Sequence, residues 1–291
     1  MRASANGIEI EYDTFVDRTH PAMVLVMGLS MQMIAWDERF CAELASRGFF
    51  VVRFDNRDVG LSTHMKGAPV PNIPAILGGD HASVSYSLED MARDTVGLMD
   101  ALGIDSAHVA GLSMGGMIAQ CLAIHHAPRV RSLASIMSTT GDPSVGEAKP
   151  EVLMELLKPS PPDRDAYLAY GIGLWRMIGS PGFPFDEVAT RELVGRAFDR
   201  AYDPMGVARQ IAAIASARDR TPALREVRAP AVVVHGAADP LIAPSGGEAT
   251  ARAIPGAELH VVPGMGHDLP RDVWPRVIDA LATNATRPRR S

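Results

Sequence analysis

The chain has 291 residues, 47% hydrophobic and 21% charged, with a formal net charge of −6. That composition excludes a wholly disordered chain, and the acidic balance argues against a nucleic-acid binder, which needs a basic footprint. A single core stops growing near ~250–300 residues, so the length suits one main domain carrying an insertion. Cys41 and Cys121 are the only cysteines, too few for a disulfide framework, and they read as buried thiols of a reducing compartment. No signal-type apolar run opens the chain, and no stretch reaches the ~18 apolar residues of a membrane span. A cytoplasmic protein is expected.

Ile8–Tyr12 alternates apolar and polar residues, as a half-exposed strand does. Met23–Met27 and Phe49–Phe54 are apolar almost throughout, the pattern of strands covered on two faces. Between them Trp36, Phe40 and Leu44 recur at helical spacing, and Gly48 can end that helix. Gly67–Ser85, rich in Pro and Gly, reads as a long loop, and loops of this length are often functional. Ser87-Leu88-Glu89-Asp90 resembles a capping box, and Met91, Leu98 and Leu102 line one face of the helix behind it. A strand at Ala107–Ala110, a helix over Met114–His125 and a strand at Ser132–Met137 follow.

Residues 139–228 break the rhythm with helical segments at Glu151–Leu157, Asp163–Ile178, Asp186–Arg200 and Pro204–Ala217. Strands resume at Ala231–His235 and Glu258–Val262, the last helix covers about Arg271–Thr283, and Arg287–Ser291 reads as a frayed tail. The βαβα alternation predicts an α/β fold: a mostly parallel sheet of about eight strands with helices on both faces. Residues 1–138 and 229–291 would form the core, and 139–228 a helical cap over the strand ends.

Gly111-Leu112-Ser113-Met114-Gly115 fits G-x-S-x-G, a pattern that chance alone places in about one chain in ten of this length. Its setting, between an apolar strand and a helix, is what a nucleophile elbow requires. A serine hydroxyl needs a base. Of nine histidines, His267 follows the last strand through Val262-Pro263-Gly264-Met265-Gly266, whose glycines let the chain aim an imidazole over the sheet edge. Asp239, just past Ala231–His235, is the candidate third member, orienting that imidazole. His235 lies upstream of this acid, and Asp268 is too close to His267 in sequence to face it. Ser113, Asp239 and His267 all follow strands and so project from one carboxyl edge, where ligand sites of open α/β sheets form.

These motifs resemble the α/β-hydrolase superfamily over essentially the whole length, and most closely the bacterial carboxylesterase group that includes aclacinomycin methylesterase. Val26-Met27-Gly28-Leu29, Phe54-Asp55-Asn56-Arg57-Asp58-Val59-Gly60-Leu61-Ser62, Gly111–Gly116 and Pro263–His267 carry the likeness. The resemblance implies an oxyanion hole from the Leu29 and Met114 main-chain N–H groups. It also implies that Asp55, Arg57 and Asp58 form a turn and salt-bridge framework. Many members have His-Gly where this chain has Met27-Gly28, which removes a polar group beside the hole.

Gly28, Met31, Met137, Trp175 and Met265 are expected to line the substrate pocket, where flexible thioethers suit an adaptable apolar wall. No dinucleotide, P-loop or zinc motif is present, so no cofactor or metal is expected and the partner is a small-molecule ester. The same triad leaves open a perhydrolase, an enol-lactonase or a carbon–carbon hydrolase. A ligand-binding protein with a vestigial hydrolase fold is a third reading. The sequence does not fix an oligomeric state.

Overall fold

The chain opens on a hairpin. β1 (Arg2–Ala5) and β2 (Ile8–Phe15) pair antiparallel across Asn6-Gly7, whose φ angles are 50° and 78°. A tight hairpin demands that left-handed pair, and Asn-Gly meets it at the lowest steric cost. β1 carries no apolar alternation and was not expected as a strand.

In this computed structural model, which describes residues 1–290, there follow β3 (Ala22–Val26), α1 (Glu38–Ser46), β4 (Phe50–Phe54), α2 (Ile73–Leu77), α3 (Leu88–Ala101), β5 (Ala107–Leu112), α4 (Met114–His125) and β6 (Val130–Ile136). Five helices then intervene: α5 (Pro150–Leu156), α6 (Arg164–Ile178), α7 (Glu187–Arg200), α8 (Pro204–Ala215) and α9 (Thr221–Leu224). β7 (Ala231–Gly236), α10 (Pro244–Ala253), β8 (Glu258–Val262) and α11 (Trp274–Thr286) complete the order. No helix among the described residues is long and apolar enough to cross a membrane.

The eight strands form one sheet in the order β1-β2-β4-β3-β5-β6-β7-β8. β1 and β2 join antiparallel, and every pairing from β4 to β8 is parallel. All five residues of β3 and of β4 are buried, because helices cover both faces. Alternate side chains of β3 feed separate cores. Val24 and Val26 pack with Met91, Leu98, Ile118 and Leu122 of α3 and α4. Met23 and Leu25 pack with Phe40 and Leu44 of α1 and Val277, Ile278 and Leu281 of α11. The capping box at α3 forms in both directions, with the Ser87 side chain accepting from Asp90 N and the Asp90 side chain from Ser87 N.

The segment after β4 is where charge is most deeply buried. Arg57 makes two 2.6 Å bonds to Asp94 of α3, and Asp58 accepts two 2.8 Å bonds from Arg209 of α8. Asp55, fully buried, accepts from Arg200 of α7 at 3.0 Å and from Met33 N at 2.7 Å. These groups are a framework tying the sheet to α3, α7 and α8.

Three stretches depart from the sequence reading. The Gly67–Ser85 stretch contains α2, capped by Asn72, and none of its residues lines the large cavity described below. α10 went unpredicted because Gly246 and Gly247 hide its periodicity; a Cβ on Gly247 would collide with the ring of His235. The tail is not frayed. Arg287 donates to the carbonyls of Ala231 and Gly256, and Arg289 to that of Ala127, while Ser291 lies outside the described residues.

Removing one partner of a buried ion pair strands the other charge, at a cost of about 3–5 kcal/mol. Asp94→Leu should therefore lower unfolding stability by that order in urea titrations. Adding Arg57→Met should recover most of the loss, since both charges are then gone.

Candidate active site

β3 and β5 are neighbours although β4 separates them in sequence, so the chain leaves their carboxyl ends in opposite directions. A crevice opens at such a switch point. Ser113 stands in it as the N-cap of α4, with φ 56° and ψ −120°, a conformation that non-glycine residues rarely adopt. Close approach on three sides holds it there. A Cβ on Gly111 would collide with the Gly115 main chain, one on Gly115 with the Val26 carbonyl, and one on Gly116 with the Ser138 side chain. The Ser113 side chain makes no capping bond to its own helix. Its hydroxyl is thus available to another group.

That group is an imidazole. His267 Nε2 lies 3.0 Å from Ser113 Oγ, and His267 Nδ1 lies 2.7 Å from Asp239 Oδ2. His267 and Asp239 are each 5% exposed. The other oxygen of Asp239 accepts from Leu241 N and Ile242 N, both at 2.9 Å. Burial alone would raise the Asp239 carboxyl. The charge of His267, together with hydrogen bonds from His235, His267 and the Ile242 main chain, outweighs burial and holds it well below its ordinary value.

His235, set aside in the sequence because it precedes the acid, belongs to this network. Fully buried, it donates from Nε2 to the Ile242 carbonyl at 2.8 Å and lies 3.5 Å from Asp239 Oδ2. Its position four residues before Asp239, at a strand end, was the available signal.

The Leu29 and Met114 N–H groups donate to no acceptor among the described residues. Met114 opens α4, where the helix leaves its first donors unpaired. The segment bearing Leu29 is fixed on both sides: Asn56 Nδ2 donates to Met27 O at 2.9 Å, and Ser30 N donates to Gln210 Oε1 at 2.9 Å. Ser30 has φ 62°, which turns this segment sharply. Gly28 abuts the elbow, and a Cβ there would sit 3.2 Å from Ser113 Cβ.

A cavity of about 710 Å³ reaches His267 and Leu112 and extends beneath α6 and α7. Met31 and Trp175 line it, as do Met27, Phe183, Phe185 and Leu269. Gly28, Met137 and Met265 do not. Gly28 is spent on the elbow contact. Met137 and Met265 are fully buried with Val234 and Val262, so packing within the core consumes their side chains. Tyr167 is not part of the cavity wall and packs on Phe198 and Tyr202 inside the helical segment.

Asp58, His64 and Asp203 bring ligand-type atoms within 4.8 Å of one another. Each is already engaged. Asp58 pairs with Arg209, while the two ring nitrogens of His64 meet Asp203 Oδ2 and the Gly60 carbonyl. The cluster reads as an internal hydrogen-bond network.

Sheet order, elbow and crevice define an α/β hydrolase. The family described as alpha/beta hydrolase fold matches residues 21–270, and the chain belongs to it. Within that family it is 27% identical to rhodomycin D methylesterase DauP of Streptomyces sp. (strain C5) and 26% identical to rhodomycin D methylesterase DnrP of Streptomyces peucetius, over 92% of each chain in both cases. Among solved structures it resembles the enol-lactonase from Burkholderia xenovorans LB400, with a TM-score of 0.76 and 26% identity over 99% of this chain and 100% of that one.

A carboxyl whose folded value lies below its unfolded one contributes stability that is complete above the unfolded value and lost as pH falls through the folded value. An ordinary aspartate titrates near 3.8, which sets the upper end of this window for Asp239. Between pH 6 and pH 2 the stability of wild type relative to Asp239→Asn should therefore fall, with the change confined below about pH 4. Urea titrations of both proteins across that range measure it.

Proposed function

We propose that the protein hydrolyses carboxylic esters through an acyl-enzyme on Ser113. The observation that carries this reading is the hydrogen-bonded run Ser113 Oγ, His267, Asp239 beside two unpaired main-chain donors. Membership of the α/β hydrolase fold family and similarity to two methylesterases support it.

The chemistry follows from the geometry. Ser113 Oγ attacks the ester carbonyl carbon as His267 Nε2 takes the hydroxyl proton. Asp239 keeps the Nδ1–H tautomer facing it and stabilises the imidazolium that forms. The carbonyl oxygen gains a full negative charge in the tetrahedral intermediate, where the Leu29 and Met114 N–H groups receive it. Each such donor is worth roughly 10²–10³ in rate, because it is already oriented when the charge develops. The imidazolium then protonates the departing alcohol oxygen. Water, deprotonated by His267, attacks the acyl-enzyme carbonyl, and collapse of the second intermediate returns the proton to Ser113 and frees the acid.

The cavity supports one substrate class over others. Its volume of about 710 Å³ and the apolar part of its wall, Met31, Trp175, Phe183 and Leu269, suit a large apolar or aromatic acid part paired with a small alkyl alcohol as in methyl esters, while Arg39, Arg196 and Arg271 on the same wall can face polar substituents of that acid. A second reading keeps these residues and changes the bond cleaved. The resemblance to an enol-lactonase over the full chain favours a lactone carbonyl as its target.

A panel of methyl esters of aromatic acids, enol-lactones and diketones separates the readings. Esters should turn over fastest, and rapid diketone or lactone cleavage with negligible ester hydrolysis would reject the first reading. Ser113→Ala and His267→Ala should each lose several orders of magnitude in kcat, and Asp239→Asn roughly 10⁴. Ser113 should also react with a fluorophosphonate, read by mass spectrometry of the labelled peptide.

A further inference from the structure

The loop that bears His267 is gripped on three successive residues by one short segment of the helical insertion. Beyond α6 the chain runs through Gly179, Ser180 and Gly182. His267 N donates to the Ile178 carbonyl at 2.7 Å, and Gly266 N donates to Ser180 Oγ at 2.8 Å. The Ser180 hydroxyl in turn donates to Asp268 Oδ1. A fourth bond joins Gly182 N to the Gly264 carbonyl at 2.9 Å. The two backbones lie so close that a Cβ on Gly264 or Gly266 would collide with the main chain opposite.

Upstream of the base the loop is held to the sheet side, where Met265 N donates to the Val262 carbonyl and Ala238 N to the Met265 carbonyl. Gly264, with φ 73°, and Gly266 leave the chain next to the imidazole less stiff than its neighbours. Asp239 fixes the ring at one nitrogen only. The main-chain donors of Gly266 and His267 both find their acceptors in the insertion rather than in the sheet. Among the described residues Ser180 alone bonds residues on both sides of the base, one through its acceptor lone pair and one through its proton.

We propose that Ser180 is a positioning residue for His267, clamping Gly266 and Asp268 so that the imidazole stays aimed at Ser113, and that the insertion is thereby part of the catalytic frame. This rests on the reading of His267 as the general base. A base must sit within hydrogen-bond reach of the proton it takes, and a displacement of about 1 Å costs on the order of 10² in rate. The clamp therefore acts on kcat, while ester binding in the cavity is left to other residues.

The test compares wild type, Ser180→Ala and Ser180→Thr on an aromatic methyl ester. It also records the downfield ¹H NMR resonance of the His267–Asp239 hydrogen bond. Ser180→Ala should lower kcat about 10–100-fold, leave KM within about threefold, and broaden or shift that resonance. Ser180→Thr, which keeps the hydroxyl, should restore most of the rate. A Ser180→Ala enzyme with wild-type kcat and an unchanged resonance overturns the proposal, as does a fall in KM affinity with kcat intact. Should Ser180→Ala fail to fold, Asp268→Ala removes the acceptor of the same clamp and is read in the same way. Failure of the hydrolase reading is distinct: wild type itself would then turn over no ester, lactone or diketone, and Ser113 would resist a fluorophosphonate.

Discussion

The contact on which the rest of the molecule depends is the first turn of α4 pressed against the end of β3. Gly115 faces the Val26 carbonyl with no room for a Cβ, and Gly28 meets Ser113 just beyond it. That approach forces Ser113 to φ 56°, an arrangement costing of order 1–3 kcal/mol that only surrounding structure can sustain. The buried parallel strands on either side provide it. In return the hydroxyl stands clear of its own helix while the donors of Leu29 and Met114 remain unpaired. Strain, exposed hydroxyl and unpaired donors are consequences of a single close packing.

Most of this was legible because local chemistry and global fold agree. β3 and β4 could be read because burial on both faces leaves only apolar residues, and the capping box at α3 because Ser and Asp stand three apart. The elbow could be read from Gly111, Ser113 and Gly115 because each is demanded by sterics at its own position. What escaped depended on partners distant in sequence. Gly246 and Gly247 look like helix breakers until the His235 ring is seen against one of them. Arg287 and Arg289 look like a loose tail until the carbonyls of Ala231 and Ala127 appear beside them. Met137 and Met265 had the right neighbours along the chain, but burial turned them into the core. Asn6-Gly7 is a local hairpin signal, but β1 beside it is polar and carries no strand alternation of its own.

The helical segment between β6 and β7 reaches the core by charge as well as by apolar contact. Arg200 and Arg209 extend from α7 and α8 to Asp55 and Asp58, carboxylates that are completely buried. Charges this deep do not stabilise a fold by much, because desolvation cancels most of the attraction. Their effect is on specificity of arrangement: each arginine has one place to go, and a shifted helix would strand two ions. Gln210 acts in the same sense without charge, bonding Ser30 N through its carbonyl and the Arg57 carbonyl through its amide. Gln210 of α8 thus helps set the path of the segment that carries the Leu29 donor.

Asp239 shows how an ionised group is kept in an apolar setting. Asp239 lies at the end of a strand whose every residue is buried, where a lone carboxylate would take up a proton. The turn that follows supplies the remedy locally, since the N–H groups of Leu241 and Ile242 both point back at one oxygen. The second oxygen is left for His267, with His235 behind it bonded to the carbonyl of the same turn. The cost appears elsewhere, in a His235 Nδ1 that is buried with no partner among the described residues. An orphaned acceptor of that kind costs about 1–3 kcal/mol. It persists because the opposite nitrogen of the same ring is what closes the turn around the carboxylate.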